Sequence, residues 1–195
     1  MRACILFASP RGEDSNTLAL LRVFLDVWRD AGHEAQVFSL YDLAIAPCRA
    51  CRACQNDHSA PNCAICDDMD TVFQRVLSSD LVVLASPIYS WYCTAPLKAA
   101  MDRMIYALCK FYGTKKGPSL MEGKALCALT TCGYRPEAGS DLFEEGLRRW
   151  CKHAHLRYIG THAQRHLGYH LPFMTEDRAA QVRLFAQSIL KQLSL

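Results

Sequence analysis

The sequence predicts a three-layer α/β/α sandwich around a five-stranded parallel sheet, and three observations carry that prediction. Short apolar runs alternate with amphipathic stretches along the chain, the pattern of strands joined through crossover helices. Leu81-Val82-Val83-Leu84-Ala85 is an unbroken apolar run, as expected of a central strand buried on both faces. The 195 residues are 51% apolar, enough for one compact domain over 1–195 with a substantial core.

Taken in order, residues 3–8 read as the first strand. Leu18, Leu21, Leu25 and Trp28 then recur at helical spacing, with Gly32 as a stop signal, and 35–39 reads as a short second strand. The segment at about 46–66 is irregular by its Pro, Asn, Asp and Ser content. A helix over 69–78 leads into the central strand at 81–85, which Ser86-Pro87 bounds. Leu97, Ala100, Met101, Met104, Ile105 and Leu108 keep one face of the next helix apolar to about 109; Pro96 sits in its first turn, where no amide donor is needed. A fourth strand is expected at 124–130, a helix at about 140–152 and a fifth strand near 155–161. The closing helix spans 176–193, with Thr175 as its cap and Glu176 and Asp177 in its first turn. Residues 113–123 read as a flexible surface loop.

The net charge of +3 is spread without a run of like charges, so the footprint of a nucleic-acid binder is missing. No apolar run approaches the ~20 residues that span a bilayer, and Met1 to Ala8 is too short an apolar stretch for a secretory signal. The expectation is a cytoplasmic protein with neither a membrane nor a nucleic acid as partner. There, eleven cysteines point to reduced thiols, metal ligation or redox chemistry in preference to disulfides.

Ligands of open doubly wound sheets bind outside the carboxyl ends of the strands, so the loops after strands matter most. The first, Ser9 to Thr17, is rich in hydroxyls, carries Arg11 and opens into a helix. Amides at a helix N-terminus with a guanidinium suit a phosphate; the plainer reading is a loop capped by Ser15 or Asn16. Neither G-x-G-x-x-G nor a Walker P-loop is present, which speaks against a dinucleotide fold or an ATPase. The loop Ser86 to Pro96 brings Tyr89, Trp91 and Tyr92, which suits a flat heterocycle or, alternatively, an aromatic dimer contact. Thr131-Cys132-Gly133-Tyr134 is a third wall, where Gly133 permits close backbone approach.

Cys48, Cys51 and Cys54 form C-x-x-C-x-x-C, followed by Cys63 and Cys66. Three readings stay open. Cys48, Cys51, Cys54 and Cys63 suit a cubane cluster; Cys51, Cys54, Cys63 and Cys66 pair as zinc knuckles; or the thiols hold no metal. Cys4, Cys93, Cys109, Cys127, Cys132 and Cys151 read as buried small hydrophobes, with Cys93 and Cys132 notable for lying on ligand loops. His153, His155, His162, His166 and His170 match no common metal spacing and read as core or solvated residues. Asp67-Asp68 read as helix-capping groups and Arg148-Arg149 as an exposed helix face.

Ser9-Pro10-Arg11 with Asn16-Thr17, and Pro87-Ile88-Tyr89 followed by Pro96, Lys98, Asp102 and Arg103, resemble the phosphate loop, flavin loop and following helix of the flavodoxin-like NADPH-dependent FMN reductases and their relatives, the iron–sulfur flavoproteins. The resemblance covers nearly the whole chain. It implies a flavodoxin-like sheet of order 2-1-3-4-5 and bound FMN, whose phosphate is held by Ser9, Arg11, Asn16 and Thr17. Ser15 stands where the family often has glycine, and its hydroxyl can serve the same loop. Pro87, Ile88, Tyr89, Ser90 and Trp91 would lie along the isoalloxazine edge, with Thr131, Cys132 and Gly133 on the other side. Flavin carries the chemistry itself, so no protein acid, base or nucleophile is required; Tyr89 and Trp91 would shape the face where nicotinamide stacks.

The implied activity is an NAD(P)H-dependent FMN/quinone reductase. Electrons would come from NAD(P)H or a small electron-carrier protein and pass through FMN to a small acceptor. The implied assembly is a homodimer or homotetramer, with the helix at 95–109 at the interface. The cysteine segment also resembles the cluster motif of the iron–sulfur flavoproteins, an electron carrier with a 4Fe-4S cluster on Cys48, Cys51, Cys54 and Cys63 and ferredoxin-like partners. Its gap of eight residues between Cys54 and Cys63 is slightly longer than usual, and many relatives keep such a loop before Asp67-Asp68-Met69 without a cluster. A third reading, of another class, is a non-enzymatic interaction module stabilised by zinc.

Overall fold

Continuous apolar runs in the central strands produce one parallel five-stranded sheet in the computed structural model, which describes residues 1–168 and 170–194. The strands are β1 (Arg2–Phe7), β2 (Glu34–Ser39), β3 (Leu81–Pro87), β4 (Ala125–Cys132) and β5 (Arg157–Arg165). Their order is β2-β1-β3-β4-β5, as the resemblance implied. The helices are α1 (Asn16–Asp30), α2 (Met69–Ser78), α3 (Ala95–Leu108), α4 (Pro136–Gly139), α5 (Asp141–Ala154) and α6 (Glu176–Leu193).

Alternate residues of the central strands feed two cores. Ile5, Val83 and Leu129 pack with Leu21, Phe24 and Trp28 of α1 and Val182 and Ile189 of α6. Leu6, Leu84 and Ala128 pack on the opposite face with Val72 and Phe73 of α2, Met101 and Met104 of α3, and Phe143 and Leu147 of α5. Every residue from Leu81 to Ser86 is buried, which is why that run is apolar without a break.

Helix ends follow side-chain chemistry. Ser15, not Asn16, caps α1, its Oγ accepting from the Leu18 amide at 3.3 Å. Thr175 caps α6 in the same way through the Arg178 amide. Arg148 and Arg149 form exposed i,i+4 pairs with Glu144 and Glu145, as expected of a solvated face.

Three elements differ from expectation. β5 runs over 157–165 instead of 155–161 because it contains a bulge: Leu126 opposes Tyr158, Cys127 opposes Gly160, and Ile159 is the extra residue. Gly160 has φ +132°, a conformation that side-chain-bearing residues rarely adopt, and beyond it the polar edge-strand sequence hides the continuation. The short helix α4 was not expected, since four residues carry no readable period. The stretch 113–123 is a surface loop only at its tip. Ser119 and Met121 are buried, Cys109 pairs with Ser119 in an antiparallel bridge, and the Ser119 hydroxyl donates to the Ala154 carbonyl at 2.6 Å. Among the described residues no helix is long and apolar enough to cross a membrane.

Leu84 is fully buried at the centre of β3. Leu84→Ala is expected to lower unfolding stability by about 2–5 kcal/mol, read as a drop in the urea midpoint at unchanged m-value.

Candidate functional site

The chain reverses direction across the sheet between β1 and β3, and there the carboxyl ends of β1, β3 and β4 open on a crevice. One cavity of about 200 Å³ is lined by Ser9, Arg11, Ser15, Asn16, Thr17, Pro87, Ile88, Tyr89, Thr131, Cys132, Gly133 and His166. A second, of about 410 Å³, shares Ile88, Tyr89, Cys132 and Gly133 and adds Ser90, Trp91, Tyr134 and Gly139. Every crevice residue expected from the sequence lines one or both cavities.

The first cavity has the chemistry that suits an anion. It lies at the N-terminus of α1, where first-turn amides lack intrahelical acceptors and the helix dipole favours negative charge. Arg11 lines it, its Nε donating to the Asp14 carbonyl at 3.3 Å, and among the described residues no carboxylate lines it. The expected phosphate-binding hydroxyls are not equivalent. Ser15 caps the helix, and Thr17, only 1% exposed, shares a 2.8 Å hydrogen bond with Thr131. Thr17 therefore ties the first loop to β4 and shapes the cradle, while Ser9 and Ser15, whose oxygens accept from the amides of Arg11 and Leu18, keep O–H donors that suit an anion alongside Arg11, Asn16 and the backbone amides.

The second cavity is aromatic. Tyr89 and Tyr92 exchange backbone hydrogen bonds of 2.8 and 3.0 Å around Ser90 (φ 49°) and Trp91 (φ 63°). Two successive side-chain-bearing residues in the left-handed region cost of order 1–3 kcal/mol each and are held by surrounding contacts. Trp91 stacks on Tyr134 at 5.9 Å and 11°, and its Nε1 donates to the Ala138 carbonyl in α4. The Ile88 amide donates to the Thr131 carbonyl at 2.7 Å, joining the two loops at their base. The wall contributions of His166 and Gly139 carried no sequence signal; Tyr134 adjoined a loop already singled out. Burial pushes the Cys93 thiol up to about 12 and raises that of Cys132, so both stay protonated and unreactive near neutral pH.

The helix that follows the aromatic loop serves a second region. Lys98 and Asp102 form an exposed pair on α3, whereas Arg103, 1% exposed, turns to the cysteine segment. Its guanidinium holds Asp67 through both nitrogens at 2.8 and 3.0 Å and donates to the carbonyls of Ala46 and Ile65. Asp67 also accepts from the amides of Ala46 and Met69, and Asp68 accepts from Ala44. Asp68, expected as a capping group, makes no side-chain bond to α2, whereas Asp67 reaches its first amide, and together the two carboxylates fasten both ends of the cysteine segment.

Lys110 and Gln55 fasten its middle. Fully buried, Lys110 donates to the carbonyls of Cys54 and Ala60 at 2.7 Å and Pro61 at 3.2 Å. Gln55 donates to the Tyr106 and Cys109 carbonyls at the end of α3 and accepts from the Tyr112 amide. Gly117 passes so close that a Cβ there would come within 2.7 Å of Lys110 and 2.6 Å of His58.

Cys48, Cys51, Cys54 and Cys63 line one small cavity with Arg49, Arg52, Arg103 and Tyr106. Cys66 lies outside that cavity. Among the described residues no three cysteine, histidine or carboxylate groups stand together as a site for a single ion. A cubane instead spreads four thiolates over four irons. Arg103 lines the same cavity, its buried Nε has no acceptor, and its guanidinium lies within reach of Cys63, a cation suited to an anionic sulfur centre. Burial raises the Cys54 thiol, while Gln55 and Lys110 draw it down. Of the late histidines, His162 is half-buried and held below the ordinary value by desolvation, and His153 bonds the Tyr112 hydroxyl at 2.6 Å.

Comparison with known proteins places these features in a lineage. A family model described as the flavodoxin-like fold matches residues 1–193. An iron–sulfur flavoprotein of Methanosarcina thermophila is 28% identical over 150 residues, 77% of this chain and 72% of that protein. An FMN-dependent NADH:quinone oxidoreductase of Pseudomonas putida is 29% identical over 171 residues, 83% of each chain. Among solved structures, an FMN-dependent NADH-azoreductase of Bacillus anthracis in complex with FMN superposes with a TM-score of 0.72 at 14% identity, over 97% of this chain and 99% of that one, a likeness of fold.

Burial opposes ionisation of Asp67, but hydrogen bonds from Arg103 and the amides of Ala46 and Met69 outweigh it and hold the carboxyl below its ordinary value. A depressed folded value means stability that is present above the unfolded value of about 3.9 and lost as pH falls through the folded one. Asp67→Asn is expected to cost about 3–5 kcal/mol at neutral pH, by leaving Arg103 buried without its counter-ion. It should also flatten the loss of stability below about pH 4; urea titrations across pH read both effects.

Proposed function

The chain belongs to the family of the flavodoxin-like fold, and from that premise we propose that it is an FMN-dependent oxidoreductase taking reducing equivalents from NAD(P)H and delivering them to a quinone or similar small acceptor. The observation that carries this reading is the convergence of three loops at the β1/β3 switch point, an anion cradle continuous with an aromatic cavity. The activities named for the Pseudomonas putida and Bacillus anthracis proteins support it.

Bound FMN supplies a hydride acceptor that releases electrons singly or in pairs. The chain's own residues bind and orient. Ser9, Arg11, Asn16 and the first-turn amides of α1 take the phosphate, and the Thr17–Thr131 bond keeps that cradle in register with β4. Pro87 to Trp91 and Thr131 to Gly133 flank the ring, and the Trp91–Tyr134 stack walls the side where a flat partner enters. Tyr89, Trp91 and Tyr134 are all exposed at this mouth, an aromatic rim that a second subunit of a dimer or tetramer would cover.

A second reading is an iron–sulfur flavoprotein that exchanges electrons with a small carrier protein. It is favoured by the four thiols lining one cavity beside the acceptorless Arg103 Nε. About four irons and four sulfides per chain after anaerobic purification would support it, and their absence would count against it.

Arg11→Ala is expected to weaken FMN binding about 10–100-fold, as loss of a charge-assisted contact, measured by quenching of flavin fluorescence. Trp91→Ala should raise the KM for quinone more than the Kd for FMN in an NADH-driven assay. A folded wild-type chain that leaves flavin fluorescence unchanged would refute the reading.

A further inference from the structure

The two buried cations beneath the cysteine segment are unequal. Arg103 is matched by the carboxylate of Asp67. Lys110 meets only the carbonyls of Cys54, Ala60 and Pro61, and among the described residues no carboxylate lies within ion-pair distance of it. Asp57 is in its electrostatic surroundings but is solvated, so water and salt screen it. A fully buried ammonium with neutral partners is disfavoured unless an anion stands nearby. The nearby groups able to become anionic are Cys54, Cys63 and Cys109, and the first two line the four-thiol cavity.

Nothing in the crevice uses Lys110. Its place is nonetheless tightly specified: backbone bonds to Pro118 and Gly117 fix residue 110 beyond the end of α3, and Gly117 is the residue that leaves room for it.

We propose that Lys110 is a positioning residue for an anionic metal–thiolate centre on Cys48, Cys51, Cys54 and Cys63, its ammonium offsetting the centre's negative charge. This rests on the second reading above. A cubane with four thiolates is a dianion, and one-electron reduction adds a further negative charge. A fixed buried cation therefore favours both loading and the reduced state, raising affinity and midpoint potential together. Arg49 and Arg52 also line the cavity's outer side, but as exposed side chains they are screened.

The test uses the FMN-loaded full chain as wild type, Lys110→Arg, Lys110→Gln and Lys110→Met, each reconstituted anaerobically with iron and sulfide. Iron and sulfide per chain are measured, then the midpoint potential in a dithionite titration followed by electron paramagnetic resonance. Flavin binding, unchanged in all four, reports that each has folded. Wild type and Lys110→Arg are expected to load, while the Gln and Met variants bind the metal about 10–100-fold more weakly and any residual centre shifts to a more negative potential. Lys110→Gln keeps hydrogen-bond donors for the loop carbonyls without the charge, so it separates charge from scaffolding. Gln protein that matches wild type in iron content and potential overturns the role of Lys110, as does equal loss in the Arg and Gln variants. Wild type that takes up no iron while binding FMN overturns the second reading, and this proposal with it.

Discussion

Burial of the central strands on both faces is the constraint from which the rest of the structure follows. With Ile5, Val83 and Leu129 on one side and Leu6, Leu84 and Ala128 on the other, β1, β3 and β4 need cover from two helical layers. Each connection must then cross over through a helix, which sends the loops that leave the carboxyl ends of β1, β3 and β4 to one edge. The reversal between β1 and β3 parts two of those loops and opens the crevice. Polar and aromatic side chains collect there because that edge lies outside both cores.

A second organising centre works by charge. The cysteine segment has little regular structure, so its carbonyls need donors from elsewhere. Arg103 and Lys110 supply them, binding carbonyls at both ends of the segment and in its middle, while Gln55 within the segment donates outward to the Tyr106 carbonyl. In the low dielectric beneath the loop these contacts are strong when complete and costly when incomplete. The segment tolerates left-handed conformations at Ala50, Arg52 and Asn62, strain that such anchoring can hold.

The helix α3 joins the two regions. Its first residues follow Thr94, whose hydroxyl donates to the Ala8 carbonyl at the floor of the crevice, and its far end delivers Arg103, Tyr106 and Lys110 to the cysteine segment. Fourteen residues make the helix about 20 Å long, so the aromatic loop and the thiols are held at opposite ends of a rigid rod. Lys110 also lies where the carboxyl-terminal end of the helix dipole favours a cation.

Much of this was legible without coordinates because it is written locally. α2 and α6 fall where periodicity and capping place them, α1 and α3 match to within a residue or two at their marked ends, and the crevice residues lie on loops that any parallel sheet gathers at one edge. Chain order, apolar period and turn chemistry determined the fold class and the cradle. Tertiary structure alone decided the rest. The bulge at Gly160 depends on pairing with β4, and Thr17 became a tie because Thr131 lies opposite it, 114 residues away in sequence. Asp67 finds Arg103 across 36 residues, and Lys110, a residue type that sequence statistics place at the surface, is buried by a loop some 50 residues earlier. Local periods report which face of an element is apolar; only the packing of distant elements determines which charge each buried polar group must meet.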